Sequence, residues 1–174
     1  LRIDWVRALA DASGVAGMCG GQALDVDATG TRRSTESREP AGAAGLADPL
    51  LPLERMHALK TGALIRAAVR MGALAGDADA ATLERLDRFA AALGLAFQVR
   101  DDILDVEASS EQLGKTAGKD AAQAKSTYPA LLGMDGARAR LDALDAAMRQ
   151  TLAPLGAQAA MLSALGELAV RRTY

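Results

Sequence analysis

Aromatic residues make up only 3% of this 174-residue chain. β-branched runs are scarce as well, so little in the sequence favours a sheet. Half of the residues are apolar, with Ala and Leu prominent, and that mixture favours an all-α protein. A basic field is also missing. Twenty Lys and Arg stand against 22 Asp and Glu, leaving a net charge of −2 and no sign of a nucleic-acid partner. A single cysteine, Cys19, excludes an internal disulfide. It fits a reducing, cytoplasmic compartment and reads as a small core residue. The only histidine, His57, excludes a histidine-rich metal site and reads as a helix-surface residue. No uncharged apolar run is long enough to span a bilayer; even residues 58–75 are interrupted by Lys60, Arg66 and Arg70. The glycines between 17 and 21 lack the Gly-Lys-Ser/Thr ending of a P-loop. An initiator Met is absent too. The chain opens on Leu1-Arg2-Ile3-Asp4-Trp5-Val6, which reads as the middle of an element and predicts a fragment or processed product.

What is present centres on Phe97-Gln98-Val99-Arg100-Asp101-Asp102-Ile103-Leu104-Asp105. On a helix Asp101 and Asp105 share a face, Gln98 lies on it one turn earlier, and Asp102 points about a quarter-turn away. Such a face offers the anionic oxygens that Mg2+ selects, and Mg2+ usually takes one or two carboxylates before completing its sphere with water and phosphate. A solvated acidic patch is the bland reading of the same residues. Against it stands the apolar segment 89–99 directly upstream, which implies that the carboxylates continue a buried helix.

Along the chain, residues 3–19 read as a helix with Ile3, Val6, Leu9 and Ala10 on one side. Gly14 and Gly17 are positions where another backbone could come close. Gly20-Gly21 is either a turn or a close-packing site within a longer helix, the second being preferred. Residues 28–52 are polar and low in complexity and predict a mobile loop. Helical periodicity resumes over 53–76 and, after the capping turn Gly76-Asp77-Ala78-Asp79, over 80–107. Residues 109–126 are polar. Tyr128–Gly133 predicts a short helix with Pro129 in its first turn. Residues 135–152 and 155–172 predict a helical pair broken at Pro154 and Gly156, with Arg171 and Arg172 complementing the last helix dipole.

Two further groups bear on chemistry. Lys60-Thr61 lies in a predicted helix with apolar neighbours. Lys60 reads either as a snorkelling surface residue or as a buried phosphate ligand, and a helical Thr61 usually bonds its own backbone. Thr61-Gly62-Ala63 would let something pack close. The polar stretch after Asp105 carries Lys115, Lys119 and Lys125, which are either simply solvated or poised to neutralise phosphate. Carboxylates for Mg2+ together with lysines for phosphate are the two halves of a diphosphate site.

The ordered series Gly20-Gly21-Gln22-Ala23-Leu24-Asp25, Lys60-Thr61-Gly62-Ala63-Leu64-Ile65, residues 97–105, Gly114-Lys115 and Lys125-Ser126-Thr127-Tyr128-Pro129 resembles the trans-isoprenyl diphosphate synthases. It is most similar to the bacterial farnesyl (geranyl) diphosphate synthases. The resemblance implies a helical bundle of the isoprenoid-synthase type, a homodimer and a cytoplasmic enzyme. It implies that residues 1–174 are the C-terminal part of a single domain, with the N-terminal helices and the first aspartate-rich motif missing. Asp101, Asp102 and Asp105 match the second aspartate-rich motif, which holds Mg2+, three ions in a complete site. Lys60, Thr61, Gln98, Lys115 and Lys125 match the surroundings of the allylic diphosphate, and Asp120 matches a support for metal-bound water. The implied reaction condenses an allylic diphosphate with isopentenyl diphosphate, with this chain alone holding half a site. A non-catalytic helical partner subunit of a complete synthase, and a longer-chain synthase, are the other implied readings.

Overall fold

The computed structural model describes residues 2–34, 48, 50–113 and 126–173, with side chains defined over 2–28, 48, 50–108 and 126–173. Among the described residues seven α-helices run in chain order: α1 (Arg2–Ser13), α2 (Met18–Ser34), α3 (Leu50–His57), α4 (Ala63–Ala75), α5 (Ala80–Leu113), α6 (Tyr128–Leu152) and α7 (Ala160–Arg171). A π turn (Ala58–Gly62) joins α3 to α4, and a 3-10 turn (Ala153–Ala159) joins α6 to α7. No strand occurs among the described residues, so the chain is all-α, as its composition implies.

Helix α5 is the axis on which α3, α4, α6 and α7 pack. It starts where Asp79 Oδ1 accepts the Thr82 N–H at 2.7 Å, the cap foreseen in the Gly76–Asp79 turn. Its apolar positions then go inward: Phe89, Ala90, Ala96, Val99 and Ile103 are fully buried. Leu53, Leu141, Leu144, Met148 and Leu152 close over them from α3 and α6. The small residues decide how near the neighbours come. A methyl on Gly94 would stand 2.8 Å from the Gly62 Cα, so α5 itself is what packs against the Thr61-Gly62-Ala63 segment.

The N-terminal region departs from its sequence pattern. The helix read over 3–19 is broken at residues 14–17. A Cβ at Gly17 would lie 2.1 Å from the Ala12 carbonyl oxygen, so this bend requires glycine. Gly20 and Gly21 do lie within a longer helix, and a Cβ at Gly21 would meet the Lys60 backbone nitrogen at 2.2 Å. Helix α2 can therefore approach the π turn only because this position has no side chain. Cys19 is exposed on that helix, contrary to the core role read from sequence.

The predicted loop over 28–52 is shorter than read, because α2 continues through Ser34 and α3 begins at Leu50. Apart from Asp48, the stretch between them lies outside the described residues, as does its predicted mobility. Likewise α5 runs on to Leu113, into the stretch read as polar connection. Helix α6 opens with Thr127 capping the Ala130 N–H at 3.2 Å and Pro129 in the first turn. It kinks at Gly133 (φ 73°, ψ 168°), so the short helix and the longer one that follows are merged end to end.

By length and composition alone, residues 128–171 contain a stretch apolar enough to cross a membrane. Gly156 (φ 54°, ψ −135°) breaks that stretch, however, and α6 and α7 pack on each other and on α5. It is two helices of one bundle and not a continuous span.

Candidate functional site

The acidic end of α5, the π turn and the start of α6 meet around His57. The π turn is the local novelty. Shifting the backbone pairing from i+4 to i+5 inserts a residue into the helix, and such turns recur at functional sites. It covers Ala58–Gly62 and so re-aims Lys60 and Thr61 relative to a regular α-helix. Lys60 is only one-third exposed, and its Nζ reaches Asp25 Oδ2 of α2 at 2.6 Å. Thr61 is half-buried beside it. Lys60 is therefore neither freely solvated nor fully buried, and its charge is paired with Asp25.

On α5, Gln98 Nε2 donates to Asp101 Oδ2 at 3.0 Å, which confirms that the two share a face. The other oxygen of Asp101 accepts from Arg172. Asp102 points elsewhere, as its helical phase requires. Its Oδ2 accepts the Tyr128 N–H at 2.9 Å and so satisfies the N-terminus of α6. Asp105 is exposed one turn beyond Asp101.

His57 is buried, not on the surface as its sequence context implied. Its ring stacks on Tyr128, with centroids 5.8 Å apart and planes 16° from parallel. Burial lowers the imidazole pKa below its ordinary value, and Lys60 adds to that. Gln98, Asp25 and Asp101 oppose the shift. Gln98 lies near enough to polarise the ring, but no hydrogen bond of ordinary geometry reaches either ring nitrogen, and the Tyr128 hydroxyl is also buried without a partner. Burial pushes the Tyr128 phenol well above its usual range, helped by Glu54 and Asp102, so it stays protonated.

Asp25, His57, Tyr128 and Arg172 thus join the site without having been singled out for it. Asp25 and Tyr128 stood in the quoted Gly20–Asp25 and Lys125–Pro129 motifs, which offered the available signal. Arg172 gave none, because it pairs with a carboxylate 71 positions away. Lys115, Asp120 and Lys125 lie outside the described residues, and so does Lys119.

Among the described residues, no three His, Cys, Asp or Glu side chains are gathered closely enough to enclose a metal ion by themselves. That arrangement is compatible with Mg2+, which needs only one or two carboxylates when water and phosphate supply the rest. Asp101 and Asp105 fit by donor chemistry and by spacing. Asp102 fits less well, since it points off the face shared by Asp101 and Asp105 and toward the N-terminus of α6.

The sequence pattern of the family described as polyprenyl synthetase matches residues 3–163. A farnesyl diphosphate synthase of Escherichia coli is 51% identical over 169 residues, 97% of this chain and 52% of that protein. The structure of an FPP/GFPP synthase from Zymomonas mobilis superposes with a TM-score of 0.74 at 32% identity, covering 97% of this chain and 51% of the other. A geranyltransferase from Helicobacter pylori, complexed with magnesium and isoprenyl diphosphate, superposes with a TM-score of 0.69 at 29% identity, covering 97% and 50%. The chain spans about half the length of the curated relatives it matches.

Proposed function

Because the chain belongs to the polyprenyl synthetase family, we propose that it carries the allylic-diphosphate half of a prenyltransferase site, as the C-terminal part of a single synthase domain. The protein it represents would condense an allylic diphosphate with isopentenyl diphosphate to farnesyl or geranyl products, in the cytoplasm and as a homodimer. One observation carries this reading. Lys60, Gln98 and Asp101 all act on the buried His57 ring, and Thr61 follows Lys60 in the π turn, which supports grouping them in one site.

In this reading Asp101 and Asp105 hold Mg2+, with Asp102 the third carboxylate of the motif and three ions in the complete site. Bound Mg2+ supplies charge neutralisation to the departing diphosphate. The remaining roles fall to the chain's own groups. Lys60 exchanges Asp25 for a diphosphate oxygen, and Lys115 and Lys125 add positive charge to the same anion. Departure of diphosphate leaves an allylic cation. The Thr61 hydroxyl and the carbonyls of Lys60 and Gln98 face it with lone pairs, and a π turn favours this because it leaves a carbonyl without its usual helical partner. Asp120 supports metal-bound water. His57, held neutral by burial, adds no second cation next to Lys60.

The experiment is prenyl transfer from dimethylallyl or geranyl diphosphate to isopentenyl diphosphate with Mg2+. It is measured for the polypeptide carrying residues 1–174, as wild type and as Asp101→Ala. Substitution of Asp101 should lower turnover on the order of a hundredfold or more, as losses of pre-organised charge do. Near-wild-type turnover at saturating Mg2+ would remove the assignment. A second reading, a helical partner subunit that modulates a complete synthase, draws on the half-length match and on the uncovered apolar face of α1. Prenyl transfer by the longer polypeptide that carries residues 1–174, with no other synthase added, would exclude it.

A further inference from the structure

Arg172 lies beyond the end of α7, yet its side chain is only 16% exposed. Its guanidinium sits over the Phe97 ring at 3.9 Å. One terminal nitrogen donates both to the Phe97 carbonyl, at 2.9 Å, and to Asp101 Oδ1. The Arg172 carbonyl in turn accepts from Arg100 Nε at 2.8 Å. Surface arginines are rarely held this way. Arg149 of α6 and Arg171 of α7, for example, are exposed and pair with acids one turn away on their own helices. The consequence for Asp101 is that both of its oxygens are in use, Oδ2 by Gln98 and Oδ1 by Arg172. A metal ion approaching Oδ1 meets a cation already in place.

We propose that Arg172 is a built-in competitor for the metal-binding oxygen of Asp101, so that metal binding and release of the Arg172 guanidinium are one exchange. This rests on the reading of Asp101 as a metal ligand. The physical reason for such an exchange is charge. In the absence of a metal, Asp101 faces Asp105 on the same helix, and Arg172 neutralises one of the two. With a divalent ion bound, a guanidinium within hydrogen-bonding reach of the same carboxylate becomes a like charge, and the pair separates. The Nε of Arg172 is buried with no partner in the docked state, which lowers the cost of leaving it. By linkage, whatever factor Arg172 takes from metal affinity, the metal takes from docking of Arg172. The segment after α7 therefore reports whether the acidic end of α5 holds a cation.

The test uses Mn2+, an oxygen-liganded ion that suits carboxylate sites and whose free form is counted by electron paramagnetic resonance. It is applied to the chain as wild type, Arg172→Ala, Arg172→Lys and Asp101→Asn. Arg172→Ala should bind Mn2+ roughly fivefold or more tightly than wild type. Arg172→Lys, which keeps the charge but loses the planar fork, should fall between them. In the wild type, diamagnetic Mg2+ should move the Arg172 Nε–H nuclear magnetic resonance signal to a solvent-exposed position, a readout that needs no variant to fold. Equal or weaker binding by Arg172→Ala, with Asp101→Asn abolishing it, would overturn the exchange and leave the metal site standing. Unchanged binding by Asp101→Asn would overturn both.

Discussion

Helices α1 and α5 both carry apolar residues at helical spacing, and they end in opposite situations. Phe89, Val99 and Ile103 of α5 are fully enclosed, whereas Ile3 and Val6 of α1 are 70% and 67% exposed. Helix α1 is attached to α4, with Trp5 Nε1 donating to the Met71 carbonyl at 3.1 Å, but its Ile3 and Val6 side chains are left open. Periodicity thus tells which side chains share a face, and it says nothing about whether another element covers that face.

The sharpest way to break this contrast is a pair of truncations. Phe89→Ala should cost about 3–5 kcal/mol of stability in urea denaturation, because it empties a closed core. Val6→Ala should stay within about 0.5 kcal/mol. A large loss at Val6 that grows with protein concentration would mean that a second copy covers the α1 face, and the two helices would then be alike.

A smaller effect separates two glycines. Gly94→Ala drives a methyl against the Gly62 backbone and should cost roughly 1–3 kcal/mol through strain between α5 and the π turn. Gly72→Ala on α4 meets nothing within 4 Å and should be neutral or stabilising by up to about 1 kcal/mol. Circular dichroism melts of the two variants decide this. Equal shifts would show that the crossing at Gly94 is looser than the backbone spacing implies.

The smallest effect is a pH dependence. Burial holds the His57 pKa below its ordinary 6.5, so near and below that pH the unfolded chain binds a proton that the folded one does not. Stability should be independent of His57 above pH 6.5 and fall as pH drops below it. His57→Gln should flatten that acid limb in denaturation series. Parallel acid losses in both proteins would mean that the imidazole gains its proton without leaving the core.

Much of the helical framework was legible in the sequence, because helix formation depends on local spacing and capping. The start of α5 after Asp79, Pro129 in the first turn of α6 and the break at Gly156 are all short-range signals. The break at residues 14–17 is not marked by the apolar spacing, whose members Ile3, Val6, Leu9 and Ala10 all precede it, while the bend depends on how close the Ala12 carbonyl comes to Gly17. Cys19 and His57 were misplaced for a related reason. A lone residue on an amphipathic helix takes its burial from what packs above it, and α2 is open over Cys19 while Tyr128 covers His57.

By itself, then, the sequence determined the all-α class, several helix limits such as the start of α5 and both ends of α6, and the phase that puts Gln98 with Asp101 and turns Asp102 away. These follow from the fixed 100° step of the helix, which needs no knowledge of neighbours. Only the tertiary structure decided the π turn at Lys60, the burial of His57 and the two pairings that load the site. Lys60 is joined to Asp25 across 35 positions and Arg172 to Asp101 across 71. A charge carries no local mark of its partner. Electrostatic pairing acts through space, and packing of the helices is what brings those charges within reach.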